Sequence, residues 1–436
     1  MPFRSILSKG PRPLVFQLMI VAFILLLTIA PAFAQDEGLT VQAELPLGTI
    51  SPYIYGANYG PWALAPVDMW PTVEASGVTM LRFPGGNWGD RNNLTKDQVD
   101  LFITQARMWK MEPLIHVRLE GGTPEQAAEL VRYANIEKGY NIRYWSIGNE
   151  PTLFENYSID KLNEEWRAIA LAMEAVDPTI LLVGPDVHQY PPTASSTDPQ
   201  ASMREWVRGF LEVNGDMVDI VSIHRYPFPV SFDSPPQSID DMRLNTKEWD
   251  TIIPDLRAVV LEAAGRDIPV AVTEINSNWN NGASAPNTDY HAIWWADVLG
   301  RLIRQRVEMV HYFMLANFTD SNFGLMRRYD VRPAYYVFQI YKHFGSELLT
   351  SSCSDPDVTI TAALRADGAL TLIVINLSSE EKTLPLTITG FDTTSLAQVW
   401  LLNAEVKAEP VDDIDVSTES ITLPKESVTL LVLSGT

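Results

Sequence analysis

The sequence predicts an α/β chain, a (β/α)8 TIM barrel followed by a small antiparallel β-sandwich. Short β-branched or aromatic runs alternate with amphipathic helical stretches between residues 50 and 345. Eight such runs within roughly 300 residues fit a (β/α)8 barrel with insertions. A doubly wound open sheet is the alternative, but it usually carries a glycine-rich phosphate loop, and the sequence has none. After Gly345 the helical spacing disappears and short strand-like runs follow one another.

The elements of the barrel are predicted from these two periodicities. The eight predicted strands are Tyr53–Asn58, Met80–Pro84, Pro113–Leu119, Ile142–Ile147, Ile180–Val183, Ile220–His224, Val270–Glu274 and Met309–Leu315. The predicted helices are Thr95–Lys110, Pro124–Asn135, Asp160–Val176, Ser202–Val213, Trp249–Ala264 and Asp289–Arg306. A capping residue followed by proline, as at Thr123 and Pro124, is typical of a helix start.

The predicted domain boundaries are 49–345 for the barrel and 346–436 for the β-sandwich. The predicted strands of the sandwich, separated by turn signals such as Asp367-Gly368, are Thr359–Leu364, Leu370–Asn376, Thr383–Thr389, Ala397–Leu401 and Ser427–Leu433. The run Leu39–Leu47, within residues 38–48, is a candidate extra strand for it. We interpret this domain as a structural buttress, and the alternative is a separate sugar-binding module.

The composition excludes several classes of protein. The chain has 436 residues, of which 46% are hydrophobic and 20% are charged, and its formal net charge is -22. So acidic a chain has no positive surface for a phosphate backbone, so we expect no nucleic-acid partner. The apolar fraction is too high for a disordered chain. The single cysteine, Cys353, cannot form an intramolecular disulfide, and we interpret it as a packing residue.

Residues 1–34 resemble a secretory signal peptide. Arg4, Lys9 and Arg12 precede the apolar run Leu14–Ala30, and Ala32-Phe33-Ala34 matches the small-x-small cleavage pattern. Removal of these residues takes away three positive charges and brings the net charge from -22 to -25. The prediction is a secreted or extracytoplasmic protein without stable membrane association after cleavage. A membrane-anchored N-terminus is the alternative.

Many common catalytic signatures are absent from the sequence. It contains no Gly-x-Ser-x-Gly elbow, no Walker loop and no Cys-x-x-Cys pair. The six histidines form no His-Glu-x-x-His motif. We therefore expect neither a metal nor an organic cofactor.

Two carboxylates end strands on opposite sides of the predicted barrel. Glu150 follows the fourth strand in the run Trp145–Pro151, and Glu274 ends the seventh in Pro269–Ile275. The active site of a TIM barrel lies at these carboxyl ends. Two carboxylates that flank a bound sugar are what glycoside hydrolysis requires. A separation of about 5–5.5 Å makes one of them the nucleophile, and the anomeric configuration is then retained.

Asn149-Glu150-Pro151 after a fourth strand, together with Thr273-Glu274 at a seventh, resembles clan A of the retaining glycoside hydrolases. In that clan the strand-four glutamate is the acid/base and the strand-seven glutamate is the nucleophile. The resemblance covers residues 50–345 and extends to the β-sandwich that several members carry. It implies a carbohydrate substrate, with Glu150 and Glu274 in these two roles.

Further residues match positions of the same clan. Arg82 resembles the arginine that holds the nucleophile carboxylate, and a charge-assisted hydrogen bond from it is expected to keep Glu274 ionised. His224 and Tyr226 resemble the His-x-Tyr element, whose tyrosine hydroxyl would bond the nucleophile. His116 matches a position that often faces the sugar, with core packing as the alternative.

Two segments resemble family 51 arabinofuranosidases and, more weakly, families 39, 44 and 79. They are Ile50–Gly56 and Leu81–Asn87, although the continuation after Asn87 departs from the family 51 pattern. By this likeness Asn58 and Asn87 are expected sugar contacts. Asn149 is expected to contact the sugar 2-hydroxyl, a hydrogen bond that strengthens in the transition state.

Tryptophans follow three of the predicted strands, and an indole face can stack on the C–H face of a sugar. They are Trp62, Trp88 and Trp279. Core packing is the alternative for each of them.

The resulting hypothesis is a secreted retaining glycoside hydrolase that acts on a polysaccharide or oligosaccharide. Its specificity stays open between arabinofuranosidase-, xylosidase- and glucanase-like. Two alternatives use the same barrel, namely a catalytically silent carbohydrate-binding protein and a transglycosylase. Intact glutamates at both positions argue against the silent protein, and an aryl-glycoside assay separates it from a hydrolase. A transglycosylase uses the same residues as a hydrolase, and the sequence does not separate these two.

Overall fold

The computed structural model describes residues 38–191, 201–228, 237–278, 285–318, 321–418 and 420–435. The proposed signal at residues 1–34 and Trp279 lie outside the described residues. Across the described ranges, no helix combines the length and the apolar character that crossing a bilayer requires.

Strand β1 (Leu39–Thr49) precedes a closed barrel of eight parallel strands. The barrel strands are β2 (Gly56–Asn58), β3 (Met80–Phe83), β4 (Glu112–Val117), β5 (Tyr144–Ile147), β6 (Leu181–Val187), β7 (Ile220–Arg225), β8 (Val270–Ile275) and β9 (Met309–Tyr312). They pair in chain order, and β9 returns to β2 to close the barrel. The predicted TIM barrel is therefore confirmed.

Helices connect the strands and cover the barrel. They are α1 (Trp70–Ala75), α2 (Trp88–Arg91), α3 (Lys96–Met108), α4 (Pro124–Val131), α5 (Ile159–Glu174), α6 (Ala201–Asn214), α7 (Ile239–Asn245), α8 (Trp249–Ala264), α9 (Asp289–Arg304) and α10 (Pro333–Tyr341). Thr95 and Gln98 form a capping box at the start of α3, and the Thr123 side chain caps α4. Polar caps satisfy backbone N–H groups that have no partner inside a helix.

The first barrel strand is shorter than the sequence predicts. Pro52–Tyr55 forms a turn of 3-10 helix, and only Gly56–Asn58 is extended. Pro52 suits the first turn of a helix because it has no N–H to leave unsatisfied, and Ser51 accepts a hydrogen bond from the Tyr53 N–H.

The C-terminal residues form a nine-stranded sheet that includes β1. A small sheet of β10 (Ala316–Asn317), β11 (Met326–Arg327) and β12 (Asp330–Val331) comes before it in the chain. The C-terminal strands are β13 (Glu347–Cys353), β14 (Val358–Leu364), β15 (Leu370–Asn376), β16 (Lys382–Thr389), β17 (Thr393–Leu402), β18 (Lys407–Asp415), β19 (Ser420–Leu423) and β20 (Ser427–Gly435). The order is β18-β17-β20-β15-β14-β13-β1-β16-β19, and only the β1–β16 pair is parallel.

One apolar core joins the two ends of this sheet. Ile421 of β19 and Val399 of β17 belong to the same buried cluster as Leu372 of the central strand β15. The sheet therefore curls over on itself, as a sandwich does, and gives the domain its own core.

A separate cluster of apolar side chains fills the lower part of the barrel. Its members are Met80, Leu114, Tyr144, Val183, Ile220, Ala271 and Met309. Each lies near the beginning of its strand. Apolar side chains therefore close the barrel near the amino ends of its strands, and polar side chains lie at the carboxyl ends.

Candidate active site

A cleft of about 510 Å³ lies at the carboxyl ends of the barrel strands. Both predicted glutamates line it. The complete lining is Gly86, Asn87, Asn149, Glu150, Leu153, His188, Gln189, Tyr226, Glu274, Phe313 and Phe323. Seven of these eleven residues are polar, and the rings of Tyr226, Phe313 and Phe323 form an aromatic part of the wall.

A strained turn after β5 directs Glu150 into the cleft. Gly148 has φ 82°, and Glu150 itself lies in the left-handed region with φ 49° and ψ 54°. Its N–H donates to the carbonyl of Asp186 (3.0 Å), and the Asn149 N–H donates to the carboxylate of Asp90 (2.7 Å). A non-glycine residue in this conformation costs about 1–3 kcal/mol, and such strain clusters at functional sites.

Glu150 and Glu274 face each other across the cleft. One carboxylate oxygen of each, and a ring nitrogen of His224, all lie within 4.8 Å of one another. The Nδ1 of His224 is 3.0 Å from Oε1 of Glu150, and the Tyr226 hydroxyl donates to Oε1 of Glu274 at 2.7 Å. The separation of the carboxylates is well below the roughly 6.5–9.5 Å that inverting glycosidases require.

Burial governs the protonation of this pair. It raises the pKa of Glu150 to about 7, and the nearby charges of Asp186 and Asp90 push in the same direction. Burial also raises the pKa of Glu274, while His224, Arg82 and the Tyr226 hydrogen bond oppose the rise. Burial lowers the pKa of His224 to about 4, so that its ring is neutral near pH 7.

Arg82 is fully buried next to Glu274. It donates to the side chains of Asn58 (3.0 Å), Asn149 (2.9 Å) and Asp186 (2.9 Å). Its Nη1 is 3.6 Å from Oε2 of Glu274, an ion pair without a hydrogen bond. The charge-assisted hydrogen bond expected for Glu274 is therefore made to Asp186 instead.

Asp186 is the principal residue that the sequence reasoning missed. It lies on β6 with no exposure to solvent and accepts hydrogen bonds from Arg82 and from the Thr273 hydroxyl. Burial alone would raise its pKa, but the charges of Arg82 and His224 and its hydrogen bonds hold the pKa at about 2. The polar strand-end rule would have found it, but the predicted strand ended at Val183.

Two predicted sugar contacts lie away from the cleft lining. Asn58 is fully buried and donates to the carbonyls of Thr273 (3.1 Å) and His311 (3.2 Å), so both of its N–H groups hold the barrel together. The Nδ1 of His116 is 3.0 Å from the carbonyl of Pro84, and its ring lines a different pocket, beside α4. Sugar contact by these two side chains therefore does not fit their positions.

The other predicted contacts lie at or beside the cleft. Asn149 and Asn87 both line it, and the Asn149 amide donates to Oδ1 of Asn87 at 2.8 Å. Trp88 follows Asn87 and is half-buried, and its ring centroid is 6.5 Å from that of Trp62. The indole N–H of Trp62 donates to the sulfur of Met314 at 3.4 Å. This pair therefore lies next to cleft residues without being part of the lining.

Sequence reasoning also missed five side chains of the cleft wall: Leu153, His188, Gln189, Phe313 and Phe323. The rings of Phe313 and Phe323 meet edge to face at 5.3 Å, and Arg332 donates to the carbonyl of Phe323. Phe323 belongs to an irregular connection that carries no periodic signal. His188 follows Asp186 by two residues, and the same strand-end rule would have included it.

The cluster of Glu150, His224 and Glu274 has the composition of a metal site. Within the described structure, however, Oε1 of Glu150 and Nδ1 of His224 already face each other at hydrogen-bonding distance. Oε1 of Glu274 is engaged by the Tyr226 hydroxyl. These contacts engage the same atoms that a metal ion would bind, and they suit a pair of interacting carboxyl groups instead.

Comparison of the sequence with known proteins finds glycosidases, although no family model matches the chain. Heparanase of Rattus norvegicus is 25% identical over 356 residues, which are 73% of this chain and 60% of that protein. An intracellular exo-alpha-(1->5)-L-arabinofuranosidase of Streptomyces lividans is 26% identical over 205 residues, 37% of this chain and 30% of its own length. The chain thus spans at most about 60% of the length of these curated relatives.

Solved structures share the whole fold. The alpha-L-arabinofuranosidase from Thermotoga maritima superposes with a TM-score of 0.71 at 20% identity, over 91% of this chain and 99% of that one. A family 44 xyloglucanase from Paenibacillus polymyxa gives a TM-score of 0.70 at 16% identity, over 91% and 99%. These similarities show that the chain has the fold of a TIM barrel with a C-terminal β domain, and together with the sequence relatives they support its resemblance to clan A of the glycoside hydrolases.

Proposed function

We propose that this protein is an exported retaining glycoside hydrolase in which Glu274 is the nucleophile and Glu150 the acid/base. The observation that carries the proposal is the pair of carboxylates in one cleft, with oxygens within 4.8 Å of each other. Their positions, after β5 and on β8, are those that the clan uses for these two roles. The sequence of residues 1–34 supports export.

The reaction proceeds in two displacements. Ionised Glu274 attacks the anomeric carbon while Glu150 transfers its proton to the departing oxygen, and a glycosyl ester forms on Glu274. A water molecule then gives its proton to Glu150 and attacks the same carbon. The ester bond breaks, and Glu274 leaves as a carboxylate. The sugar is released with its original anomeric configuration.

The surroundings of the two glutamates suit these different roles. A pKa of about 7 leaves Glu150 protonated in mildly acidic solution, as a general acid must be. Arg82 and the Tyr226 hydroxyl contact Glu274 and favour its ionised form. Formation of the ester removes the charge of Glu274. The pKa of Glu150 then falls, and this residue becomes the base that the second step needs.

A neutral sugar is the substrate class that the cleft fits best. Its described lining contains no lysine or arginine. The five internal stretches outside the described ranges, 192–200, 229–236, 279–284, 319–320 and 419, contain no lysine or arginine in their sequences either. A uronate or a sulfate would therefore enter a cleft whose described lining holds two carboxylates and no lysine or arginine, at a large desolvation cost. Neutral pentosides or hexosides, such as arabinofuranosides and xylosides, avoid this cost.

The test is a parallel assay of aryl arabinofuranosides, xylosides, glucosides, mannosides and glucuronides. We expect turnover of at least one neutral glycoside and none of the glucuronide. Replacement of Glu274 by Ala should abolish this turnover, because it removes the carboxylate that attacks the anomeric carbon. Binding without turnover by the wild-type protein would instead support the silent carbohydrate-binding alternative. Normal activity of Glu274→Ala would overturn the assignment of the nucleophile, and glycosyl transfer to added alcohols would identify a transglycosylase.

A further inference from the structure

We propose that Asp186 is a positioning residue for the reaction, the buried anion that balances Arg82 and fixes its guanidinium next to Glu274. This inference rests on the proposed function. It assigns a role to a residue that does not itself line the cleft.

The backbone around Asp186 is built to direct this side chain inward. The β6–β7 pairing shifts between Pro185 and Val187, so Asp186 occupies a β-bulge. Its φ of 54° lies in the left-handed region. Bulges re-aim side chains and are frequent beside active sites. The carbonyl of the same residue accepts the N–H of Glu150, which ties the bulge to the catalytic turn.

The side chain of Asp186 connects to both glutamates through one intermediate each. Oδ2 accepts from Nη2 of Arg82 at 2.9 Å, and Nη1 of the same guanidinium lies 3.6 Å from Glu274. Oδ1 accepts from the hydroxyl of Thr273, the residue before Glu274. Oδ1 is also 3.8 Å from Nε2 of His224, whose Nδ1 contacts Glu150.

Stability alone does not account for a buried Arg–Asp pair in this position. Apolar residues of similar volume commonly replace such pairs at no cost or with a gain in stability. Here the pair adds no net charge, but it holds a guanidinium 3.6 Å from the carboxylate of Glu274. Without the negative charge of Asp186, the positive charge of Arg82 would act on both glutamates unopposed.

The charged and titratable groups around Asp186 come from every neighbouring element. They are Arg82 on β3, Asp90 in α2, His116 on β4, Glu150 after β5, His188 after β6, His224 and Tyr226 on and after β7, Glu274 on β8 and His311 on β9. The Coulomb effect of Asp186 raises the pKa of Glu150, and that of Arg82 lowers it. Removal of the Asp186 charge must therefore lower the pKa of the general acid.

The experiment measures kcat/KM against pH for the wild-type protein and Asp186→Asn, with a neutral aryl glycoside that the wild type hydrolyses. The wild type should lose activity as the pH rises through about 7, because Glu150 loses its proton. We call this fall in activity at high pH the basic limb of the profile. In Asp186→Asn the basic limb should move to lower pH by about one unit. An unmoved limb, or a shift to higher pH, would overturn the inference.

The matched control is Asp297→Asn. Asp297 is equally buried and pairs with Arg301 at 2.9 Å, but it lies on α9, away from the cleft. It should lower stability and leave the basic limb where it is. A similar shift in this control would show that any loss of a buried carboxylate moves the limb, and would overturn the specific role of Asp186.

A second variant keeps the inference testable if Asp186→Asn fails to fold. Asp186→Glu retains the charge but displaces the guanidinium, so its basic limb should match the wild type while kcat falls by about tenfold or more. A wild-type kcat in this variant would overturn the positioning role. Absence of glycosidase activity in the wild-type protein would instead refute the proposed function.

Discussion

At Glu150, two unfavourable features are combined in one residue. The backbone is left-handed, and burial opposes ionisation of the side chain enough to raise its pKa to about 7. Both features cost free energy of folding, and both serve the proposed chemistry, because they aim a protonated carboxyl group into the cleft. Active sites commonly trade stability for activity in this way.

Replacement of Glu150 by Gln should therefore stabilise the protein at alkaline pH. The pKa of Glu150 is raised in the folded state from 4.5 to about 7, so the folded state binds more protons than the unfolded state between these values. Stability contributed by this group falls as the pH rises through that window, and the loss is complete above about 7. At pH 8 we expect Glu150→Gln to raise the free energy of unfolding by about 1–3 kcal/mol, as measured by urea denaturation.

The pH dependence is the control for this prediction. At pH 4 both states of Glu150 are largely protonated, and the substitution should have little effect. Equal stabilisation at pH 4 and pH 8 would show that ionisation of Glu150 is not the cause.

Single residues also show where sequence reasoning reaches its limit. A strand-end position predicts that a side chain lies near the cleft, but not whether it points into the cleft or across the barrel. Asn58 and Arg82 both point across the barrel and bond each other. Asp186 was missed because the predicted strand ended at Val183, whereas β6 continues through a bulge to Val187.

At the scale of elements, the turn after β5 must approach β4 closely. A Cβ on Gly148 would lie 2.6 Å from Cδ2 and 2.8 Å from Cβ of Leu119, and the φ of 82° disfavours any L side chain. This glycine therefore permits both the tight packing and the backbone direction that carry Glu150 into the cleft.

Gly148→Ala should thus damage both stability and activity. We expect a loss of about 2–4 kcal/mol in the free energy of unfolding, from strain and from the displaced Leu119. Activity should fall by about 100-fold because Glu150 moves with the turn. Denaturant titration and steady-state kinetics check both results.

Gly139→Ala is the matched control. Gly139 has a similar φ of 65°, but no atom lies within 4 Å of the Cβ that alanine would add. It should lose only about 1 kcal/mol from its backbone conformation and keep full activity. Equal effects of the two substitutions would contradict the packing explanation.

Buried strands could be predicted from the sequence more readily than exposed ones. All eight barrel strands were predicted because buried parallel strands form nearly continuous apolar runs. Strand β18 was not, since its sequence Lys407–Asp415 is charged and largely exposed. Strand β13 was missed as well, because its middle carries a run of Thr and Ser. Both strands are fixed by pairing with distant neighbours, which the local sequence does not encode.

At the scale of the whole molecule, the barrel and the C-terminal sheet share a core. Ile373 and Leu430 of the sheet belong to the same buried cluster as Trp295 of α9 and Phe338 of α10. Asp297 on α9 accepts a hydrogen bond from Thr359 of β14 (2.5 Å) while it pairs with Arg301. The C-terminal domain is thus part of the structural unit that supports the barrel.

Asp297→Ala should weaken this shared unit without affecting the site chemistry. Loss of one partner leaves Arg301 buried with fewer counter-charges, so we expect a loss of about 3–5 kcal/mol in the free energy of unfolding. Asp216→Ala, which removes an exposed pair with Arg167, should cost less than about 1 kcal/mol. Unfolding followed by calorimetry should show a single transition for all three proteins, and two separate transitions in the wild type would contradict a shared core.

Covalent trapping tests the central role of Glu274 most directly. A 2-deoxy-2-fluoro glycoside of a sugar that the protein hydrolyses, with an activated aryl leaving group, forms the glycosyl ester faster than water removes it. Intact mass spectrometry should show one glycosyl unit per chain, and peptide mapping should place it on Glu274. Loss of the adduct should restore activity. An adduct on Glu150, or turnover of the parent glycoside without any covalent adduct, would contradict the two-step mechanism.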